Sequence, residues 1–437
     1  MQQPNKALKN LTSRLMFTLF ALITFRVASQ IPAPGVNSLA LASFFQKQGS
    51  SLFGFFNSFS GGALERFSVL ALGIMPYITS SIMMSLLAMS FPKIAELQKD
   101  SQGYKKISQY SRYLTVLICC VQGFMMTAGL EMLDSPSGLP IVINPGLNFK
   151  LLAVLSFIGG TMFLMWLGEQ ITERGLGNGI SLIIFAGIAS SIPGGLKKAI
   201  TLFANGEINI LVLAGIALVV LLAFWAIVFI EKSFRKVPVQ YAKRVVQNQM
   251  VAPQSSHIPI KINISGVMPA IFASTILQFP DTLNNFIKDT HPLKKIVVGF
   301  SQFIYSGKFM YNVVFVSMLI FFSFFYAQVQ FKSDDIAENL KKNGGFIPGI
   351  APGTKTAEFL KGVVERVTSL GAAYISVICL LPVILSLFST IPFQIGGTTL
   401  LILVGVAIDT MGQIEGHLIS QKYENYSLNS SSRGRRF

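Results

Sequence analysis

Between Ile208 and Ile230 the chain reads INILVLAGIALVVLLAFWAIVFI without one charged side chain, and comparable runs recur along its whole length. A helix needs about 20 apolar residues to cross a hydrocarbon core about 30 Å thick, so each such run is long enough to leave water. Runs of this kind fall near 14–31, 68–90, 110–130, 150–170, 178–194, 208–230, 264–280, 310–329, 367–388 and 394–414. With 437 residues of which 51% are hydrophobic and 12% charged, a water-soluble globule is excluded. Only helices and closed barrels satisfy their backbone groups in lipid, and runs of this length specify helices. The expected fold is an all-α polytopic membrane protein of about ten transmembrane helices.

Lysine and arginine decide which loops stay inside. With the N-terminus inside, the inner segments of the first half collect Lys6, Lys9, Arg14, Lys93, Lys99, Lys105, Lys106, Arg112 and Arg174. The inner segments of the second half are richer still, above all 231–263 and 331–366, and Lys422, Arg433, Arg435 and Arg436 close the chain. Both termini are therefore expected in the cytoplasm. The net charge of +16 follows largely from this bias, which also suits anionic lipid, and it calls for no nucleic acid. The basic loops 231–263 and 331–366 read either as solvated topology signals or as docking surfaces. The run after Arg14 contains Arg26 and lacks a small-residue cleavage site, so it reads as a retained first helix.

Catalytic motifs are missing from the sequence. PGTKT at 352–356 lacks the Walker A spacing, no HExxH or GxSxG occurs, and His257, His291 and His417 are scattered. Cys119, Cys120 and Cys379 lie in apolar runs without metal-ligand spacing and read as small buried hydrophobes. No enzyme activity, metal or cofactor is expected. Arg26 and Asp409 are the main charges within spans, which is thin support for an ion relay, and each reads as a snorkelling or structurally paired group.

Ten spans divide into five and five, 1–200 and 201–437. An odd number per half gives the halves opposite topology, as in inverted repeats, with the break expected in an outer segment around Ser191 to Asn209. One stretch fits no span. FFNSFSGGALERFS, Phe55 to Ser68, is rich in Phe, is broken by Gly61-Gly62 and closes on Glu65-Arg66, too short to cross.

The segment MFLMWLGEQITERGLGNGISLIIFAGI (162–188) resembles the SecY family, the channel subunits of bacterial protein translocases. So do FSGGALERFSVLALGIMPYI (59–78), KISQYSRY (106–113), INISGVMPAIFAS (262–274), NLKKNGGFIPGI (339–350) and GGTTLLILV (396–404), in order along the chain. The resemblance implies a gated channel in the bacterial inner membrane that passes unfolded polypeptide and opens sideways to release apolar segments into lipid. It implies two inverted five-helix halves hinged on the outer side. The partners it implies are SecE, SecG, the motor ATPase SecA, the ribosome, signal peptides and nascent chains.

By the same resemblance, the waist of the channel is a ring formed by Ile74, Ile78, Ile180, Ile184, Ile271 and Ile402. Ile74/Ile78 and Ile180/Ile184 are spaced i, i+4 and share a helical face, though on their own the pairs read as packing or lipid-facing residues. The segment at about 55–66 corresponds to a short re-entrant plug helix. There Phe55, Phe56 and Phe59 supply apolar surface, Gly61 and Gly62 let the segment bend, and Glu65 and Arg66 limit its depth. Thr79 and Phe279 match lateral-gate positions. Ser85 stands where the family commonly has Gln, and Gln278 where it is usually apolar, which implies a shifted gate threshold. Lys243 and Arg244 match one docking loop, and 331–366 matches the other. Within it Ala351 replaces the family's usual Arg, implying motor coupling that is weakened or compensated through Lys355. The residues alone leave two other readings open, a small-solute secondary transporter and an insertase that never opens a continuous pore.

Overall fold

The structure is a computed structural model, and it describes residues 4–37, 40–41, 60–91, 94, 96–97, 101–131, 140–206, 209–241, 245–246, 249–250, 255–286, 299, 308–388 and 397–433. Eleven helices carry the described fold: α1 (Pro4–Ala28), α2 (Met75–Ser90), α3 (Ser101–Glu131), α4 (Leu147–Arg174), α5 (Gly179–Ala204), α6 (Ile210–Glu231), α7 (Met268–Phe286), α8 (Lys308–Gln330), α9 (Ser333–Lys342), α10 (Thr354–Phe388) and α11 (Gly397–Arg433). Among the described residues eight helical stretches are long and apolar enough to cross a membrane, and two shorter apolar ones lie at Met75–Ala88 and Met268–Leu277. α6 shows how such a helix is built: only Ile216, Ala223 and Ile227 are buried, at spacings that put them on one face. Leu211, Leu221, Trp225 and Phe229 stand exposed, as lipid-facing side chains do.

Two expected boundaries are corrected. The run 68–90 is helical only from Met75. Ser68 bridges Pro32 and residues 69–74 are turns, because Gly73 has a left-handed φ of +58° and Pro76 starts a helix where its missing N–H costs nothing. The run 178–194 extends to Ala204, straight through Pro193, so most of the expected outer segment is helix. The turn ahead of Pro193 is also tied by the Ser190 and Ser191 hydroxyls, which donate to the carbonyls of Gly187 and Ile188 at 2.7 Å each.

The chain forms two compact units, Met1–Glu207 with Ile391–Ile395 and Asp409–Phe437, and Ile208–Thr390 with Gly396–Ile408. The core of the first contains Leu64, Phe67 and Ala71 from non-helical chain, packed with Cys119, Phe149, Ala153 and Phe157 from α3 and α4. Residues 31–37 run between two neighbours in extended contact. Ala33 N–H donates to Phe67 O (2.8 Å) and Val69 N–H to Ile31 O (3.0 Å), while Asn37 N–H reaches Ile141 O (2.9 Å) and Ile143 N–H reaches Gly35 O (3.1 Å). The loop between α4 and α5 is fixed by side chains of other helices, Leu176 N–H donating to Thr18 Oγ1 (3.0 Å) and Gly177 N–H to Gln413 Oε1 (2.9 Å).

In the second unit the basic segments 231–263 and 331–366 carry strands. β1 (Phe234–Tyr241) pairs antiparallel with β4 (Ser255–Lys261), Phe234 opposite Lys261 and Gln240 opposite Ser255, and also with β5 (Gly345–Phe346). A separate two-residue ladder joins β2 (Val245–Val246) to β3 (Gln249–Met250). Val237 and Val239 alternate with exposed neighbours along β1 and bury against Leu340 of α9 and Leu360 and Val364 of α10.

Gly160 on α4 sets how closely the non-helical chain approaches the helices. A Cβ there would lie 2.2 Å from the Val69 carbonyl oxygen and 3.0 Å from Leu70 Cδ2, whereas one at Gly159 meets nothing within 4 Å. Gly160→Val is therefore expected to lower stability by about 1–3 kcal/mol. The check is the thermal midpoint of the purified protein in detergent, with Gly159→Ala as the control that leaves it unchanged.

Candidate functional site

The stretch Ser60–Ile74 is buried chain that forms no helix. Its backbone turns through left-handed φ values at Gly61 (+69°), Gly62 (+82°), Phe67 (+46°) and Gly73 (+58°). Six of its N–H groups are met locally: Leu64 by Ser60 Oγ (3.3 Å), Phe67 by Leu64 O (3.0 Å), Ser68 by Ala63 O (2.8 Å), Leu70 by Ser68 Oγ (3.1 Å), Ala71 by Ser68 O (2.8 Å) and Gly73 by Leu70 O (2.8 Å). Phe67 is 1% exposed and stands edge-on to Phe157 of α4, with ring centroids 5.1 Å apart. Of the expected plug residues, Gly61 is buried, Gly62 and Glu65 half-buried and Arg66 exposed. Phe55, Phe56 and Phe59 lie outside the described residues. The described part of the segment, from Ser60, is turn rather than helix. Arg66 Nη1 donates to Gln30 Oε1, and Arg26 Nη1 donates to the Gly61 carbonyl. Arg26 is thus a half-buried, bonded group.

The chain enters α2 and α7 in the same way. Gly73-Ile74-Met75-Pro76-Tyr77-Ile78 and Gly266-Val267-Met268-Pro269-Ala270-Ile271 share a Gly-x-Met-Pro-x-Ile pattern, and their glycines have φ of +58° and +60°. In the first, Tyr77 and Ile78 N–H both donate to Ile74 O at 3.1 Å. In the second, Ala270 and Ile271 N–H both donate to Val267 O, at 3.1 and 3.4 Å. The isoleucine two residues past each proline is buried, Ile78 at 7% and Ile271 at 4% exposure. The repeat escapes sequence reading because six residues are too few to stand out over 437.

Of the remaining expected ring residues, Ile74, Ile184 and Ile402 are buried and Ile180 is half-buried. Ile180 Cγ1 would lie 3.3 Å from a Cβ on Gly168, so part of this side chain packs on α4. Ile188, which sequence reading left out, continues the Ile180/Ile184 face by one turn and is fully buried. Ile74, Ile78, Ile180 and Ile184 belong to the first unit, and Ile271 and Ile402 to the second.

At the expected gate positions, the hydroxyls of Thr79 and Ser85 donate to their own helix, to Met75 O (3.0 Å) and Ser81 O (2.9 Å). Neither proton is left for a facing helix. Gln278 and Phe279 continue α7, and their side chains lie outside the described residues. At the expected docking surface, Lys243 and Arg244 also lie outside the described residues, while Ala351 and Lys355 are exposed. The Ala351 carbonyl accepts from Thr356 Oγ1 (2.9 Å), which ties the turn Ile347–Gly353 to the head of α10. Ile347, at 3% exposure, anchors the other end of that turn. Among the described residues no cluster of His, Cys, Asp and Glu could hold a metal.

A family model described as SecY matches residues 68–411. The protein translocase subunit SecY of Pseudomonas aeruginosa is 42% identical over 431 residues, covering 98% of this chain and 96% of that protein.

The chain belongs to the SecY family.

Its fold agrees. A solved SecY structure, in which the plug domain stabilises the closed state of the translocation channel, superposes with a TM-score of 0.65 at 17% identity over 94% of this chain and 93% of that one. Sec61 in the canine ribosome–channel complex of the endoplasmic reticulum superposes with a TM-score of 0.61 at 16% identity, again over 94% and 93%. The chain is a multi-pass membrane protein with a SecY-type fold.

The two matched helix entries give a paired expectation. Alanine in a left-handed conformation costs about 1–2 kcal/mol. Gly73→Ala and Gly266→Ala are each expected to destabilise by that amount, and about equally. Gly215→Ala, inside α6 with nothing within 4 Å of its Cβ, is expected to leave the protein unharmed. Thermal unfolding of the three variants checks this.

Proposed function

We propose that the chain is a gated protein-conducting channel through which unfolded secretory polypeptides cross a membrane, with apolar segments released sideways into the bilayer. The observation that carries the reading is the pair of helices α2 and α7, one in each unit, each entered through Gly-x-Met-Pro and each placing a buried isoleucine at its head. The 16 residues of α2 rise about 24 Å, less than a hydrocarbon core, so irregular chain must occupy part of the membrane depth beside it. Irregular backbone is tolerated there only when it is enclosed by protein or lines an aqueous cavity.

On this reading Ile74, Ile78, Ile180, Ile184, Ile271 and Ile402 form the waist. Their β-branched side chains are stiff and offer no hydrogen bond or charge, so they close around any sequence by shape without binding it. The segment at about 55–66 is the plug, held on the outer side of the waist until a chain enters. Residues 1–200 and 201–437 are the inverted halves, both termini are cytoplasmic, and the membrane is the bacterial inner membrane. The basic sheet of the second unit, with Lys243, Arg244, Ala351 and Lys355, is the docking face for SecA and the ribosome. SecE and SecG complete the channel. The work comes from those partners, with no catalytic residue, cofactor or metal in the chain.

A secretory chain stalled in transit is expected to crosslink to cysteines placed at Ile78 and at Ile271. Crosslinks at both sites support a shared conduit. No crosslink at either, in a folded and assembled complex, overturns the channel reading.

A further inference from the structure

We propose that Arg26 is the latch that holds the plug closed, acting through the carbonyl of Gly61. This rests on the plug reading above and names the contact that sets the resting state. Arg26 lies two residues before the end of α1, in an apolar run where a guanidinium is costly to keep. Its Nη1 donates to the carbonyl of a residue 35 positions away.

The two ends of Gly61–Val69 are held by different means. At the far end, Ala33 N–H to Phe67 O (2.8 Å) and Val69 N–H to Ile31 O (3.0 Å) pair the backbone with 31–33, and Phe67 is wedged against Phe157. That end is a fixed base. At the near end, Gly61 sits between α1 and α5. A Cβ on it would lie 3.1 Å from Gly187 Cα, 3.3 Å from Arg26 Nη1 and 3.4 Å from Ser190 Oγ, while one on Gly62 would meet nothing within 4 Å.

Gly61 therefore lies against a glycine of α5 on one side and is bonded by a charged donor of α1 on the other, with an unobstructed glycine next to it. A side chain at 61 would spoil both contacts, and its φ of +69° disfavours any other residue. A strap pinned at 67–69 and caught at 61 swings when the catch is released. Release costs one charge-assisted hydrogen bond, which is strong enough to hold the resting state and weak enough for an arriving chain to displace.

The test uses the complete channel complex in a planar bilayer, reading resting ion conductance. Arg26→Gln is expected to raise the resting open fraction roughly 10- to 100-fold, the equivalent of losing one charged hydrogen bond. Arg26→Lys keeps a charged donor and is expected to restore most of the closure. Gly61→Ala is expected to leak as well, which carries the test if Arg26→Gln fails to assemble. Because Gly61→Ala already disturbs the Arg26 contact together with the one to Gly187, adding Arg26→Gln to it is expected to increase the leak no further. Effects that multiply, or Lys leaking as much as Gln, overturn the latch. Deletion of 57–65 separates the two readings. If the deletion leaks and neither Arg26→Gln nor Gly61→Ala does, the plug stands and the latch falls. A deletion that does not leak removes the plug reading and the latch with it.

Discussion

Every backbone N–H and C=O at membrane depth must find a partner within the protein, and this constraint shapes the first unit more than any side chain does. The long helices meet it internally. The chain from Ser60 to Ile74 cannot, since its left-handed glycines break the i to i−4 ladder. It uses short turns, the extended partner 31–33 and the guanidinium of Arg26. Glycines on the surrounding helices make the enclosure possible. Gly160 admits the Val69 carbonyl, and Gly187 admits Gly61.

The same constraint separates what must stay from what can move. Backbone pairing at 67–69, reinforced by a buried aromatic pair, is cooperative and expensive to undo. At Gly61 a side-chain hydrogen bond from Arg26 and close packing on Gly187 take the place of backbone pairing. An element that must leave its seat needs a low-stability end joined to a high-stability base, since moving elements are drawn from the weakly held parts of a fold. The second unit repeats the helix entry at Gly266–Ile271 and spends its remaining polar chain on a small sheet, whose buried valines face α9 and α10 and whose charged residues face water. Similar local chemistry at two helix entries thus serves units that differ elsewhere.

The long helices were legible in the sequence because an uncharged run of about 20 residues has few alternatives. The start of α2 was misread because Ser68–Ile74 (SVLALGI) is as apolar as the helix that follows, and only Gly73 and Pro76 hint at the break. α5 was cut short at Pro193, which a helix in protein surroundings absorbs. The alternation in RKVPVQY of β1 is a strand signal that was passed over within a basic loop. Ile74, Ile78, Ile184, Ile271 and Ile402 came from the family resemblance, and their burial could not have been told from ordinary packing. The partner of Arg26 was out of reach of any pattern, since a carbonyl 35 residues away leaves no side-chain signature.

The central claim is that the segment after Ser60 is enclosed at rest and displaced in use. Leu64, 6% exposed, reports on it directly. In a background with Cys119, Cys120 and Cys379 replaced, Leu64→Cys would be exposed to a membrane-impermeant thiol reagent, first in the resting complex and then with a stalled chain in the channel. The account predicts at least about tenfold slower labelling at rest than in the occupied channel, in proportion to the loss of a latch of that strength. Equal labelling rates in the two states, whether fast or slow, would contradict it.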